Sequence, residues 1–510
     1  MNRFLSLIAL TAFSLAVFLP FAAMSSDTGS GLSLVKIAVQ GREAVARIAS
    51  LGFDIASVDE DGVTVVATQE EIQAAGFGRS RMRTLLEDAD QIFAPYRGRA
   101  DAGAYHTYEE TVAALKAAVK SNPKIASMFS IGKSIEGREI YCLKISDNVA
   151  KDEDEPEALY MGLHHSREWI SVEVPLAIMN ALMNGYGKDD QITKLVNDNE
   201  VFLIPIVNPD GLVYSQTNSK MWRKNRRSIQ NGRYFGVDPN RNYGYQWGTV
   251  GASTSPYSDT YHGEKAFSEP ETSAVRDFVK SRNFVSSISY HSYSRLVLYP
   301  FGYGYNIPNP EEDTFIALSK GIGQRCNYRP QNSAELYPAM GDCDDWLYGD
   351  QNLLCFTVEI GRTFVPSESE IPDICKRNVD GALWLLSQIG EHFPRVKGDK
   401  YARLTLRASL AEYRALGGGL ASGMMSEREM REARSCLRLL ADRILADTMA
   451  SSDDWDAFVS YMDLLDEADM VSFKPVTDYM SQYLNSFAGE GIASEEARAK
   501  LETLARITAR

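Results

Sequence analysis

The chain has 510 residues, 44% hydrophobic and 24% charged, with a formal net charge of −15 at pH 7. That length and composition suit about two to four globular domains and exclude a disordered polymer, a collagen or a coiled-coil rod. The acidic balance argues against nucleic acid as a partner.

Chain order begins with an address. Met1-Asn2-Arg3 carries one positive charge, an apolar run follows from Leu5 to Phe21, and small residues Ala22, Ala23, Ser25 and Ser26 come next. This is the pattern of a secretory signal over 1–26; an uncleaved anchor is the rival, because a run of this length can span a bilayer. No later segment reaches span length, so the expectation is a secreted or periplasmic chain with no stable membrane span after signal removal. Six cysteines (Cys142, Cys326, Cys343, Cys355, Cys375 and Cys436) include no C-x-x-C. An exported chain could pair them, but connectivity is not deducible, and Cys142 and Cys355 sit in apolar runs where buried free thiols are common.

Residues 27–100 read as a small α+β unit. Strand patterns at Leu34–Val39 and Val63–Ala67 alternate with helical patterns at Glu43–Leu51, ending at Gly52, and Glu70–Ala75, ending near Gly76. A polar stretch with Arg79, Arg81, Arg83, Arg97 and Arg99 follows, then an Ala/Gly/Asp segment, a pattern of protease-exposed boundaries.

Residues 101–395 alternate strands with helices. The predicted strands are Glu139–Ile145, Ala158–Leu163, Val201–Pro205, Val285–Tyr290 and Leu353–Val358. The predicted helices are Tyr108–Lys120, Glu168–Met183, Glu269–Ser281, Phe315–Gln324 and Asn378–Ile389. Such alternation predicts an α/β domain: a mixed, largely parallel twisted sheet with helices on both faces. Over 396–510 the strand signal fades. A capping box at Ser426-x-x-Glu429, helical spacing from Ala433 to Ile444 and Gly417-Gly418-Gly419 as a hinge predict a helical extension.

The chemistry starts at His165-x-x-Glu168, just past one predicted strand and at the start of a helix. An imidazole and a carboxylate one turn apart suit zinc, and a catalytic zinc takes three protein ligands and an open position. Alone the motif is weak and reads equally as a helix cap. His291 and Glu359, however, also stand at strand ends, where open α/β sheets build their sites. Of the other histidines, His164 lacks a Glu at +3, His262 reads as structural, and His106 and His392 read as surface residues without visible partners.

Five segments carry a resemblance: His165-Ser166-Arg167-Glu168-Trp169-Ile170, Met221-Trp222-Arg223-Lys224, Asp238-Pro239-Asn240-Arg241-Asn242, Thr260-Tyr261-His262-Gly263, and His291-Ser292-Tyr293-Ser294 running to Tyr299-Pro300. In order and content they resemble the zinc carboxypeptidases of the pancreatic carboxypeptidase A and B type, over roughly 105–392. The resemblance implies one Zn2+ per catalytic domain, held by His165, Glu168 and His291, with peptide or protein C-termini as substrate. It implies Glu359 as general base and Arg223 as the cation that stabilises the oxyanion. Asn240 and Arg241 would clamp the terminal carboxylate, and a guanidinium can do so with two parallel bonds. Tyr337 resembles the tyrosine that closes over the bound terminus, while Arg167 and Tyr293 would line the mouth of the cleft.

Aligning Asp345-Trp346 with the family's Asp-Trp pair sets Asp344 at the base of the pocket for the terminal side chain. A carboxylate there implies a preference for basic, or mixed basic and apolar, terminal residues, unless Asp342 reshapes the pocket. The unit at 27–100 resembles the family's pro-segment, to be cut near 79–101 by an activating protease, and 396–510 departs from a minimal family member. Two other readings stay open at this point: a zinc peptidase acting on cell-wall peptides, and an inactive module that binds peptide termini.

Overall fold

The computed structural model describes residues 31–96, 102–309 and 311–392. The signal at 1–26, Arg97 and Arg99, and the extension at 396–510 with Cys436 lie outside the described residues.

The first unit runs β1 (Leu32–Ile37), α1 (Arg42–Ser50), β2 (Asp54–Asp59), β3 (Gly62–Thr68), α2 (Gln69–Ala74) and β4 (Met82–Leu86). Its four strands form one sheet in the order β2-β3-β1-β4, and the pairs β1–β3, β1–β4 and β2–β3 are antiparallel. Val35, Ile37, Val63, Val65 and Ala67 bury one face against Val45, Ile48 and Ala49 of α1. The β2–β3 turn needs Gly62, at φ 139, because a Cβ there would meet the Ile37 carbonyl at 2.1 Å. Thr68 and Glu71 close a capping box at the start of α2. Two strands escaped the sequence reading: β2 mixes acids and serine, and β4 is largely exposed, so neither shows a clear alternation. A 3-10 stretch, Ala89–Tyr96, then carries Phe93 and Tyr96 onto Trp169, with ring centroids 5.1 and 5.5 Å away. Tyr105 completes the cluster at 5.9 Å from the same ring.

The second unit continues with α3 (Tyr108–Ser121), β5 (Ala126–Lys133), β6 (Glu139–Ile145), β7 (Glu157–Gly162), α4 (Ile170–Gly185), α5 (Asp190–Asn197), β8 (Glu200–Ile204) and α6 (Pro209–Thr217). A two-stranded ribbon, β9 (Ser228–Ile229) and β10 (Tyr234–Phe235), precedes α7 (Pro270–Lys280), β11 (Phe284–His291) and β12 (Leu296–Tyr299). The chain closes with α8 (Glu312–Cys326), β13 (Arg329–Asn332), α9 (Cys343–Gly349), β14 (Leu354–Glu359) and α10 (Ile371–Gln388). Eight strands make one mixed sheet, ordered β13-β12-β14-β11-β7-β8-β6-β5. The central run β14-β11-β7-β8 is parallel, and every residue of β7, β8 and β11 is buried, as expected for strands covered on both faces. The acids at the amino ends of β7 and β8 are satisfied rather than orphaned: Arg282 reaches Glu157 at 3.1 Å and Glu200 at 2.7 Å, and Lys144 reaches Glu200 at 2.6 Å.

The mixed, largely parallel sheet is the expected one, with differences at its margins. The helix expected from Glu168 begins at Ile170, leaving Glu168 in the turn before it. The outer strands β5, β12 and β13 were not foreseen; β13 reads Arg-Pro-Gln-Asn, a polar run that only its neighbour makes a strand. Cys142, Cys326, Cys343, Cys355 and Cys375 are free thiols, the first four of them buried.

Candidate active site

Three strand ends bring the site together. The turn after β7 carries His165 and Glu168, His291 ends β11, and Glu359 ends β14 directly across the parallel register from His291. His165 Nδ1 lies 2.9 Å from Glu168 Oε1 and 3.1 Å from His291 Nδ1, and Glu168 Oε2 lies 3.1 Å from His291 Nδ1. All three side chains are buried, and their ligand atoms fall within 4.8 Å of one another. Two imidazoles and a carboxylate aimed at one point are a donor set that fits zinc. Each ring turns its other nitrogen to a partner, His165 Nε2 to Asp238 Oδ1 at 3.1 Å and His291 Nε2 to Ser289 Oγ at 3.1 Å.

Electrostatics follow from burial and neighbours. Burial alone would raise Glu168, but the adjacent His165 and His291 hold it below the usual carboxylate range. Asp238 likewise lies well below that range despite burial, held there by Arg223, His165 and Arg241. Burial pushes Glu359 up to about 8; His291, Arg223 and Arg241 oppose that rise, while the Glu168 charge adds to it. A carboxyl poised near neutrality suits proton transfer.

Of the residues expected to bind substrate, Arg223, Arg241 and Tyr337 are close enough to interact electrostatically with Glu359. Arg223 stacks its Nε and Nη2 on Asp238 Oδ2, at 3.0 and 2.9 Å, and turns Nη1 to Asp54 Oδ1 at 3.4 Å. Arg241 is fixed by the Gly251 carbonyl at 2.7 Å and donates to the Tyr337 hydroxyl at 3.1 Å. Asn240 is oriented by its Oδ1, which accepts from the Cys343 backbone N–H at 2.9 Å. Tyr337 packs against the core of the first unit and against Leu296, Leu298 and Leu336, as Val58 also does. Arg167 is fully buried beneath the first unit: its Nη2 donates to Asp54 Oδ2 at 2.5 Å, the Phe364 ring centroid lies 4.2 Å from its guanidinium, and among the described residues its Nε and Nη1 have no hydrogen-bond partner. Tyr293 stands edge-on to Phe364 at 5.0 Å and is reached by the Ser57 side chain. Asp344 is buried; burial and then Asp342 push it up to about 8, against the opposing pull of the Thr357 side chain.

Three contributors were missed in the sequence. Asp238 lay inside a quoted motif without a role, and Asp54 and Ser289 carried no local signal. His262 is buried against Trp247, at 4.3 Å, in keeping with a structural part. His106, expected to lack a partner, instead binds Glu173 through its backbone N–H and its ring, both at 2.7 Å, a contact 67 residues away that sequence does not reveal.

Fold and site together define a metal-dependent peptidase built on an α/β sheet. The family model described as zinc carboxypeptidase matches residues 111–381. A zinc carboxypeptidase of Saccharothrix mutabilis subsp. capreolus is 33% identical over 417 residues, covering 75% of this chain and 95% of that one. Human carboxypeptidase A1 is 36% identical over 309 residues, covering 56% and 72%. Among solved structures, the carboxypeptidase A of Helicoverpa armigera superposes with a TM-score of 0.62 at 25% identity, covering 71% of this chain and 97% of that one. The chain belongs to the zinc carboxypeptidase family and is a zinc-dependent peptide hydrolase.

Proposed function

We propose that this is an exported carboxypeptidase that removes single C-terminal residues from peptides or proteins, preferring basic, or mixed basic and apolar, terminal side chains. The observation that carries the reading is the convergence of His165, Glu168 and His291 on one point beside Glu359. Those three side chains would hold zinc, which when bound would supply Lewis-acid activation of water and of the scissile carbonyl. Glu359 takes the proton of the attacking water and passes it to the leaving amine. Arg223, clamped by Asp238, offers a fixed cation to the developing oxyanion. Arg241, with Asn240, holds the terminal carboxylate, and Tyr337 covers it.

The basic preference rests on Asp344. Burial and the neighbouring Asp342 disfavour its ionised form, and a cationic side chain entering the pocket offsets that cost. The first unit, 27–100, is read as a pro-segment covering the cleft: Asp54 engages Arg167 and Arg223 with a carboxylate, the group a substrate terminus also presents. A cut within 79–101 by an activating protease would begin its removal.

The test is zinc content together with amino-acid release from peptides ending in Arg, Phe or Glu, after limited proteolysis, in wild type and Glu359→Gln. Stoichiometric zinc with release of Arg ahead of Phe is expected. A preference for Glu overturns the pocket assignment, and bound zinc without release of single residues overturns the carboxypeptidase reading.

A further inference from the structure

His164 precedes a proposed metal ligand and is not itself one, yet it is completely buried with both ring nitrogens occupied. Its ring lies parallel to that of His291, with centroids 5.4 Å apart and 14° between planes. His164 Nδ1 is 3.2 Å from Ser289 Oγ, and His164 Nε2 is 2.8 Å from the Tyr243 hydroxyl. Ser289 Oγ is in turn 3.1 Å from His291 Nε2. Ser289, Tyr243 and His291 are buried as well, so none of these polar groups can exchange its partner for water.

The hydrogen count gives this chain a direction. His291 can ligate through Nδ1 only when its proton sits on Nε2, which then donates to Ser289 Oγ. The Ser289 hydroxyl, accepting from His291, has its one proton to give to His164 Nδ1, and that arrangement puts the His164 proton on Nε2, donating to Tyr243. The opposite polarity would protonate His291 Nδ1 and remove the ligand. We infer that His164 is a positioning residue for the metal site: through Ser289 it fixes the tautomer and ring orientation in which His291 presents Nδ1. The two histidine ligands are then supported differently, His165 by the carboxylate of Asp238 and His291 by a neutral relay. The inference rests on the zinc site proposed above.

The test is the zinc affinity of the metal-free full-length chain, titrated with Zn2+ against a chromogenic chelator. Ser289→Ala, which removes only a hydroxyl, and His164→Leu, which keeps volume without an acceptor, should each weaken zinc binding about 10- to 100-fold. The double variant should bind no more weakly than the weaker single. His164→Asn, whose Oδ1 can accept near the Nδ1 position, should return to within about threefold of wild type. A purely packing role would not be rescued by Asn in this way. Affinities of both single variants within about twofold of wild type, or losses that add in the double variant, overturn the relay. A wild-type chain that binds no zinc overturns the metal site itself, a result distinct from either.

Discussion

The two units meet at Arg167 and Arg223 and are built on opposite terms. The larger one commits its central strands to burial and sets its reactive groups at their carboxyl ends, held by partners such as Asp238 and Ser289. The smaller one has a modest core and reaches the cleft through one strand, β2, whose Asp54 and Ser57 face Arg167, Arg223 and Tyr293. The site is thus prepared in advance on one side and merely borrowed by the other. Removing a residue from the prepared side should damage chemistry, and removing one from the borrowing side should release it.

The largest effect should come from Glu359→Gln. We expect kcat to fall about 10²- to 10⁴-fold with zinc content unchanged, measured on chain trimmed of the first unit. Next is Asp54→Ala, which strips a buried partner from two arginines. Losing one member of such a pair costs about 3–5 kcal/mol, so, on the pro-segment reading proposed above, the untrimmed variant should be more active than untrimmed wild type. Equal latency in both would break the contrast between the units. Asp344→Ser should cut the Arg-over-Phe ratio of kcat/KM by about 1.5–3 kcal/mol, the scale of a hydrogen bond to a charged group. Because Asp344 is held up at about 8, it is protonated below that value. The wild-type ratio should therefore climb as pH rises from 6 through 8, and a flat ratio would exclude Asp344 as the discriminating acid. The smallest effect lies far from the cleft. Glu173 raises His106 above its ordinary 6.5, so the charged pair is fully present below that value and is lost as pH rises through the folded one. His106→Gln should cost at most about 1 kcal/mol at pH 6 and nothing at high pH, by denaturant titration, since the imidazole is partly exposed.

Much of this was readable in the chain because sheet centres and motifs are local. Ala158–Leu163 and Val285–Tyr290 announce themselves as apolar runs, and the ligand spacing at His165 and Glu168 is visible in four letters. Illegible parts were those that tertiary approach creates. Nothing in Asp54-Ile55-Ala56-Ser57 says that its acid will lie on Arg167, 113 residues away. Ser289 is one serine among three in its strand, and its link to the His164 ring, 125 residues distant, exists only in the folded chain. Strand β13 forms from a polar run because β12 offers it an edge, a gain that propensity does not contain.

The aromatic cluster on Trp169 has a last implication. Phe93 and Tyr96 belong to the first unit's side of the 97–101 segment, while Trp169 and Tyr105 belong to the other, and all four rings are buried. Severing the backbone there would cut a tether but leave the rings interlocked. Departure of the excised piece would then be an ordinary dissociation, slow where the protein is crowded and favoured by dilution, so that the onset of turnover would lag the cut and depend on how much protein is present.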